Sequence, residues 1–214
     1  MNTLTKFVLG AMGALRPEPA RGDAKQFIQL PQPAHVGGMA LTEALAQRRS
    51  LRVYRKDALP HALLSGLLWA ANGINRNGDG HTAPSALNAQ EIDIYVALPQ
   101  GAYRFDAKTQ ALQLVCAQDV RRVTGYQDFV DDAPLDLIYV ADHTRMSLVP
   151  AAQRQAYAHV AAGAIAQNVY LFAAANGLGT VLRAWIDRDA IALALGLPHD
   201  YQVLLSQTVG YPGG

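Results

Sequence analysis

Apolar residues recur at steps of three and four in several segments, the spacing that places side chains on one face of a helix. In "LTEALAQRRS", Leu41 and Leu45 share a side and Thr42 is a candidate N-cap, so we predict a short helix that ends at the arginines. In "PHALLSGLLWAANG", Pro60 suits the first helical turn and Gly73 follows the last periodic residue. Both segments are therefore predicted to be helices.

The longest helical pattern lies in "RQAYAHVAAGAIAQNVYLFAAANG", which Asn176 and Gly177 close. Its many alanines allow close contact between helices, so we predict that it is the central helix and lies at a subunit interface, through the face around Ala161, Ala164 and Ile165. A short helix capped by Asp187 follows and ends near Gly196.

Alternating apolar residues predict the strands. "EIDIYVAL" has this alternation, "GAYRFD" and "ALQLVC" form a hairpin around "AKTQ", and "LDLIYVAD" is a more deeply buried strand. "TVLRAWI" and "YQVLLSQTVGYP" are predicted to be two further strands. Helices interleaved with strands indicate a single α+β domain, and the hairpin argues against a purely parallel sheet.

Composition excludes several classes of protein. The chain has 18 Lys and Arg against 17 Asp and Glu, a net charge of +1, which argues against a general nucleic-acid or membrane-surface polycation. Cys116 is the only cysteine, which excludes an internal disulfide and a thiolate cluster. No apolar run approaches the roughly 18 residues of a membrane span. No metal site is expected, because the histidines lack ligand spacing. They are His35, His61, His81, His143, His159 and His199.

Residues 1–38 are predicted to form an N-terminal helix and an extended arm, ahead of a single domain at residues 39–214. The apolar stretch from Phe7 to Leu15 follows one lysine, as in a signal peptide, but no cleavage motif comes directly after it. We therefore interpret it as an amphipathic helix of a cytoplasmic protein. Export, with residues 1–15 as the signal, is the alternative.

Two polar segments carry the candidate chemistry. "RRSLRVY" places Arg48, Arg49, Ser50 and Arg52 within seven positions. Cations at a helix C-terminus offset its partial negative charge, which is one explanation, and an anion site is the other.

The second polar segment, "TAPSALNAQE", is a long loop before a buried strand. Pro84 and Ser85 would fix its turn, while the amides of Asn88 and Gln90 suit a heterocycle with both donors and acceptors. A self-capped turn is the alternative for this loop.

Four motifs, in this order, resemble the nitroreductase superfamily, which binds flavin mononucleotide (FMN). They are R-R-S-x-R at residues 48–52, A-P-S-x-x-N-x-Q at 83–90, G-L-G-T at 177–180 and V-G-Y-P at 209–212. The resemblance covers residues from about 40 to 212. With its N-terminal arm, the chain is similar to the branch that includes azoline oxidases of peptide modification.

The resemblance implies a nitroreductase-like fold, with a mixed, mostly antiparallel sheet flanked by helices, in an intertwined homodimer with two shared sites. It implies that R-R-S-x-R grips the flavin phosphate and ribityl chain and brings one arginine to the pyrimidine edge of the ring. The loop would reach the flavin from the other subunit, and the strand at residues 182–184 would pass the ring. The implied cofactor-binding residues are Arg48, Arg49, Ser50, Arg52, Pro84, Ser85, Ala86, Asn88, Leu182, Arg183 and Ala184.

The implied activity is transfer of hydride from NAD(P)H, through flavin N5, to a small electron-poor acceptor such as a nitroaromatic or a quinone. No side chain need act as an acid or base, so we nominate no catalytic residue. The alternatives are a flavin oxidase or dehydrogenase of a small heterocycle, and a non-catalytic flavin-binding partner subunit.

One departure from the family concerns the phosphate. Many relatives continue beyond the last strand and contribute a further basic residue, whereas this chain ends at "VGYPGG". We therefore expect either that Arg48 and Arg52 suffice or that Arg183 compensates.

The remaining conspicuous residues are interpreted structurally. We expect Arg121 and Arg122 on a solvated surface, Asp131 and Asp132 in a solvated turn, and both tryptophans in the core. Tyr126 and Phe129 are candidates for a substrate lid.

Overall fold

The computed structural model describes residues 1–34, 38–77 and 79–213. Within these ranges the chain forms five α-helices and a set of mostly short strands. The helices are α1 (Thr3–Ala11), α2 (Leu41–Gln47), α3 (His61–Asn72), α4 (Ala151–Ala175) and α5 (Arg188–Leu195). The strands are β1 (Glu18–Pro19), β2 (Phe27–Gln29), β3 (Ile74–Arg76), β4 (Gly80–His81), β5 (Ile92–Leu98), β6 (Gly101–Asp106), β7 (Ala111–Cys116), β8 (Gln118–Asp119), β9 (Leu135–Asp142), β10 (Gly179–Arg183) and β11 (Tyr201–Gly210).

Seven strands form the main sheet, in the order β10-β11-β9-β5-β6-β7-β2. Each neighbouring pair in this sheet is antiparallel. Two small pairs, β1 with β8 and β3 with β4, lie outside it. The predicted α+β class and the predicted hairpin of β6 and β7 are confirmed.

The sheet has a hydrophobic cluster on each face. Leu135, Leu137 and Tyr139 of β9 belong to the cluster that contains residues of α3 and α4. Ile138 and Val140 of the same strand belong to the other cluster, which contains residues of α5. Because β9 is buried on both sides, its sequence is a continuous apolar run rather than an alternating one.

Some predicted element ends are confirmed and others are wrong. Asp187 caps α5, its Oδ1 accepting a hydrogen bond from the Ala190 amide at 3.0 Å. In contrast, α2 begins at Leu41, so Thr42 lies inside the helix and does not cap it. Strand β10 ends at Arg183, where its pairing with β11 stops, so the last three residues of the predicted strand, Ala184, Trp185 and Ile186, lie outside the observed one.

The N-terminal arm packs on the rest of the domain. Strand β2 adds to the edge of the main sheet by pairing with β7. Lys6 of α1 is fully buried, and its Nζ donates to the carbonyls of Gly125 and Gln127 and pairs with Asp131 at 2.5 Å. Burial lowers the pKa of Lys6, and the Asp131 carboxylate opposes that shift. The cytoplasmic location stays a prediction, and His35 lies outside the described residues.

Helix α4 is, within the described ranges, the one helix long and apolar enough to cross a membrane by length and composition, with a mean hydropathy of 1.2. That is weak evidence for a span, because the core helix of a globular protein passes the same test. Residues Ala162, Ile165 and Val169 of α4 are buried in the core. The side of α4 that carries Tyr157 and Val160 is apolar and exposed within one chain, at 38% and 73% for these two residues.

Candidate active site

The arginine segment runs along the outer edge of β10. Arg48 forms the C-cap of α2, and the Leu51 amide donates to the Thr180 carbonyl at 3.0 Å. Further on, the Arg55 amide donates to the Tyr211 carbonyl at 3.0 Å. Backbone pairing at both ends therefore fixes residues 48–55 between the edge strand and the C-terminal segment.

Tyr170 of α4 joins this segment to the sheet. Its hydroxyl lies 2.8 Å from Ser50 Oγ and accepts a hydrogen bond from the Leu182 amide at 2.9 Å. The Arg48 guanidinium lies 5.3 Å from the centroid of the Tyr170 ring. The sequence reasoning missed Tyr170, because its position in an apolar helical repeat gave no reason to separate it from the core.

The segment divides its arginines between two clefts. Arg48 and Arg49 line a cleft of about 360 Å³ together with Tyr170 and Thr180. Arg52 instead lines a larger cleft of about 680 Å³ on the domain surface, together with Phe129 and other residues. The structure thus brings Arg48, Arg49 and Ser50 together but turns Arg52 to a neighbouring space.

Arg48, Arg49 and Arg52 differ from the other arginines in what their side chains contact. Each of the other 11 arginines among the 14 in the sequence makes a hydrogen bond or ion pair through its side chain. Within the described ranges, Arg48, Arg49 and Arg52 have no acceptor for their guanidinium groups. A guanidinium without an internal acceptor beside a cleft is suited to bind an anion from outside.

Arg183 is the last residue of β10, and its guanidinium points into the protein. It donates to Asp136 at 2.5 Å, to Thr208 at 2.8 Å and to the Thr124 carbonyl at 2.7 Å. Burial lowers the pKa of Arg183, and the Asp136 carboxylate opposes that shift. The Arg183 side chain is therefore bonded within the protein and is not placed to bind a phosphate at the edge of β10.

The loop at residues 83–90 forms a self-capped turn. Ser85 Oγ accepts a hydrogen bond from the Gln90 amide at 2.9 Å, and the Gln90 side chain donates to Asn88 Oδ1 at 3.3 Å. Leu87, Asn88 and Gln90 have positive φ angles of 53°, 53° and 50°. The turn that sequence suggested as an alternative is therefore present, with a backbone that non-glycine residues rarely adopt.

This loop lies far from the arginines of the same chain. Pro84 and Ser85 line a small cavity with Ala161 of α4, whereas Arg48 and Arg49 lie beside Ala173. Twelve residues of helix separate these two alanines, which corresponds to roughly 18 Å along the axis. One chain alone does not bring the two polar segments together.

Several structural interpretations made from the sequence are wrong. Arg121 is buried, not solvated, and pairs with Asp119 at 2.5 Å. Asp131 forms an ion pair with buried Lys6 instead of lying free in a turn. Trp185 is 47% exposed and is not a core residue.

A sequence model of the Nitroreductase family matches residues 45–211, which include the first three motifs and most of the fourth. The chain belongs to the nitroreductase family. This nitroreductase-family chain is 32% identical over 170 residues to a protein of Methanocaldococcus jannaschii named as a candidate nitroreductase, covering 75% of the chain and 84% of that protein. It is 31% identical over 201 residues to an NADH dehydrogenase of Thermus thermophilus, covering 81% and 86%.

Solved structures agree with this assignment. A candidate nitroreductase from Ralstonia eutropha has a TM-score of 0.90 and 46% identity, covering 94% of this chain and 96% of that one. The NADPH:FMN oxidoreductase of Vibrio harveyi, complexed with NAD+, shares the fold at a TM-score of 0.59 and 21% identity, covering 81% and 69%. The predicted nitroreductase fold is thus confirmed, and the chain is an oxidoreductase of nitroreductase type.

Proposed function

We propose that the protein is an FMN-dependent oxidoreductase that takes hydride from NAD(P)H and passes it to a small electron-poor acceptor such as a nitroaromatic or a quinone. The observation that carries the proposal is the set of three arginines without internal acceptors among the described residues, in the family motif, at the edge of β10. When bound, flavin supplies the hydride chemistry at N5. The chain's own residues hold and orient it.

The donor set of this site fits a flavin mononucleotide. Arg48 and Arg49 would hold the phosphate, because their guanidinium forks match its oxygens and have no other acceptor in the described part of the chain. Ser50, already hydrogen-bonded to Tyr170, would contact the ribityl chain. A ligand with an anionic end and a ring end suits arginines that are divided between two neighbouring clefts.

At the ring end, Arg52 would lie at the pyrimidine edge and stabilise the negative charge of the reduced ring. The backbone of Leu182, Arg183 and Ala184 would pass the ring. Beyond Arg183 the edge is free of β11 pairing, so backbone groups there are open to a ligand.

We also propose a homodimer in which each site takes a loop from the other subunit. Pro84, Ser85, Ala86 and Asn88 would complete the partner's flavin site. The support is the separation of roughly 18 Å along α4 between this loop and the arginines of its own chain. The exposed apolar residues Tyr157 and Val160 of α4 supply a surface for the second subunit.

The test is a titration of the apoprotein with flavin, in which quenching of the flavin fluorescence measures binding. Arg48→Ala removes a charge-assisted contact of about 1.5 to 3 kcal/mol. This should weaken binding by roughly 10- to 150-fold. Arg16→Ala is the matched control, because Arg16 is exposed and bonds to the Leu15 carbonyl of its own segment.

The purified protein should be yellow, with about one FMN released by acid per chain, and should oxidise NADH or NADPH with a nitroaromatic or quinone acceptor. A protein that binds flavin without turnover would support the non-catalytic alternative. Equal flavin affinity of Arg48→Ala and the parent would remove Arg48 from the site.

A further inference from the structure

Three aromatic rings from separate segments meet beside the end of β10. The ring centroids of Phe7 and Trp185 lie 5.6 Å apart, those of Tyr126 and Trp185 5.3 Å, and those of Phe7 and Tyr126 5.5 Å. Phe7 is 43% exposed and Trp185 47%. The three rings, here called the aromatic wall, therefore support one another and still present apolar surface to solvent.

The aromatic wall is held in place from the N-terminal side. Buried Lys6, the residue before Phe7, bonds to the loop that carries Tyr126. Gly10 allows α1 to approach closely, because a Cβ there would lie 2.5 Å from the Tyr126 ring and 2.8 Å from Asp187. Fixed rings can bind a planar ligand with little loss of side-chain entropy.

The position of the wall relates it to the proposed flavin ring. Trp185 directly follows Ala184, the last residue of the backbone proposed to pass the ring. The N-terminal end of α1 lies beside the 680 Å³ cleft, which Met1 and Asn2 line together with Arg52. Five residues of helix, roughly 7.5 Å, separate Asn2 from Phe7. Helix α1 therefore borders the proposed ring end of the site at two separate points, the cleft that Arg52 lines and Trp185.

We propose that the aromatic wall of Phe7, Tyr126 and Trp185 forms one side of the acceptor site and selects planar aromatic acceptors by stacking. This inference rests on the proposed function. It makes the N-terminal helix a specificity element of the enzyme, although the family match begins only at residue 45. Electron-poor rings suit it, because the faces of electron-rich side chains carry negative charge density.

Equilibrium binding separates this role from catalysis. Holoenzyme with oxidised flavin, without any reductant, is titrated with 4-nitrobenzoate by calorimetry. Phe7→Ala and Trp185→Ala should each weaken binding by about 3- to 10-fold, the range of an aromatic pair. Leu4→Ala is the matched control, because Leu4 is 72% exposed on the same helix.

Two further readouts test stacking itself. Trp185 and Trp69 are the only tryptophans, so the difference in emission between the parent and Trp185→Phe is the fluorescence of Trp185. 4-Nitrobenzoate should quench this fluorescence to saturation, and the dissociation constant should equal the one from calorimetry. In turnover, Phe7→Ala should raise KM for 4-nitrobenzoate, leave kcat within about twofold and leave KM for ferricyanide unchanged. Phe7→Leu, which keeps apolar packing without a ring, should behave like Phe7→Ala even if the latter disturbs α1.

Flavin-loaded Phe7→Leu and Trp185→Ala proteins that bind 4-nitrobenzoate as tightly as the parent would overturn the inference and leave the proposed function intact. A parent protein that takes up no flavin would overturn the proposed function and this inference with it. A loss of affinity in Leu4→Ala equal to that in Phe7→Ala would assign the effect to the helix as a whole and overturn stacking.

Discussion

Single arginines of the chain have opposite roles according to their surroundings. Arg121 and Asp119 are both nearly fully buried, with side-chain exposures of 4% and 3%. Arg121→Ala would leave the buried Asp119 carboxylate with only the more exposed Arg21, 3.7 Å away, as a cationic partner. We therefore expect a loss of about 3 kcal/mol in the free energy of unfolding. Urea denaturation measures it.

Arg122→Ala is the control, because Arg122 is 27% exposed and its pair with Glu18 is partly solvated. That variant should lose at most about 1 kcal/mol. Equal stabilities of the two variants would mean that the Arg121 pair contributes no more than a surface pair.

Glu91 predicts a pH dependence of stability. It is fully buried, neither of its carboxylate oxygens has a hydrogen-bond partner in another described residue, and burial raises its pKa above 4.5. As the pH rises above about 4.5, Glu91 ionises in the unfolded state before it ionises in the folded state. The parent therefore loses stability until the pH has passed the pKa of Glu91 in the folded state. Glu91→Gln should therefore be more stable than the parent at pH 8, by about 1 kcal/mol or more, and equal to it near pH 4.

Thermal unfolding from pH 4 to pH 8 measures this difference. Glu43→Gln on exposed α2 is the control and should show no such trend. A Glu91→Gln variant with the same pH profile as the parent would mean that the carboxylate is stabilised as an anion.

At the level of residues, sequence could identify the arginine motif only through its resemblance to a family. Its charges alone were equally consistent with a helix end. The burial of Arg121 depends on the Ala133 carbonyl, twelve residues away, which accepts from its guanidinium. The position of Trp185 depends on its contact with Phe7 of α1, at the other end of the chain. No local pattern carries that information.

Helices and strands were more predictable than single side chains. Gly73 ends α3, and the predicted hairpin and the buried strand β9 have the expected bounds, because their signals are local periodicity and turn residues. Strand β10 ends earlier than predicted because β11, its partner, decides where pairing stops. Strand β2, within the predicted extended arm, was not predicted, because its three residues form a strand only by pairing with β7.

The turn between α4 and β10 gives a prediction for an element boundary. Gly177 has a φ of 67°, and a Cβ added to it would meet no atom of the described residues within 4 Å, so backbone conformation alone decides which residues this position tolerates. Gly177→Ala should cost about 1 kcal/mol, since L-residues are strained there, and Gly177→Asn should cost less. Chemical denaturation of both variants checks this, and an unchanged stability in Gly177→Ala would mean that the turn relaxes.

For the whole molecule, the sheet order could not be deduced from the sequence. The last two strands along the chain, β10 and β11, form one edge, and the early strand β2 forms the other. The proposed shared site rests on this arrangement, because the arginine segment lies along β10 while the loop at residues 83–90 packs farther along α4. The face of α4 that the sequence suggested for the interface includes Ala161 and Ile165, which are already buried within the chain.

The uncovered face of α4 instead includes Tyr157 and Val160, which are 38% and 73% exposed and three residues apart. If this face meets the second subunit, Val160→Glu should give a monomer by light scattering, because it would bury an unpaired carboxylate in the interface. Leu193→Glu is the matched control: Leu193 is 71% exposed on α5, and this variant should remain a dimer.

The Val160→Glu monomer should also lose flavin, since each site would lack the loop from its partner. A dimeric Val160→Glu would place the interface elsewhere, and a monomer that binds FMN as tightly as the parent would contradict the shared site.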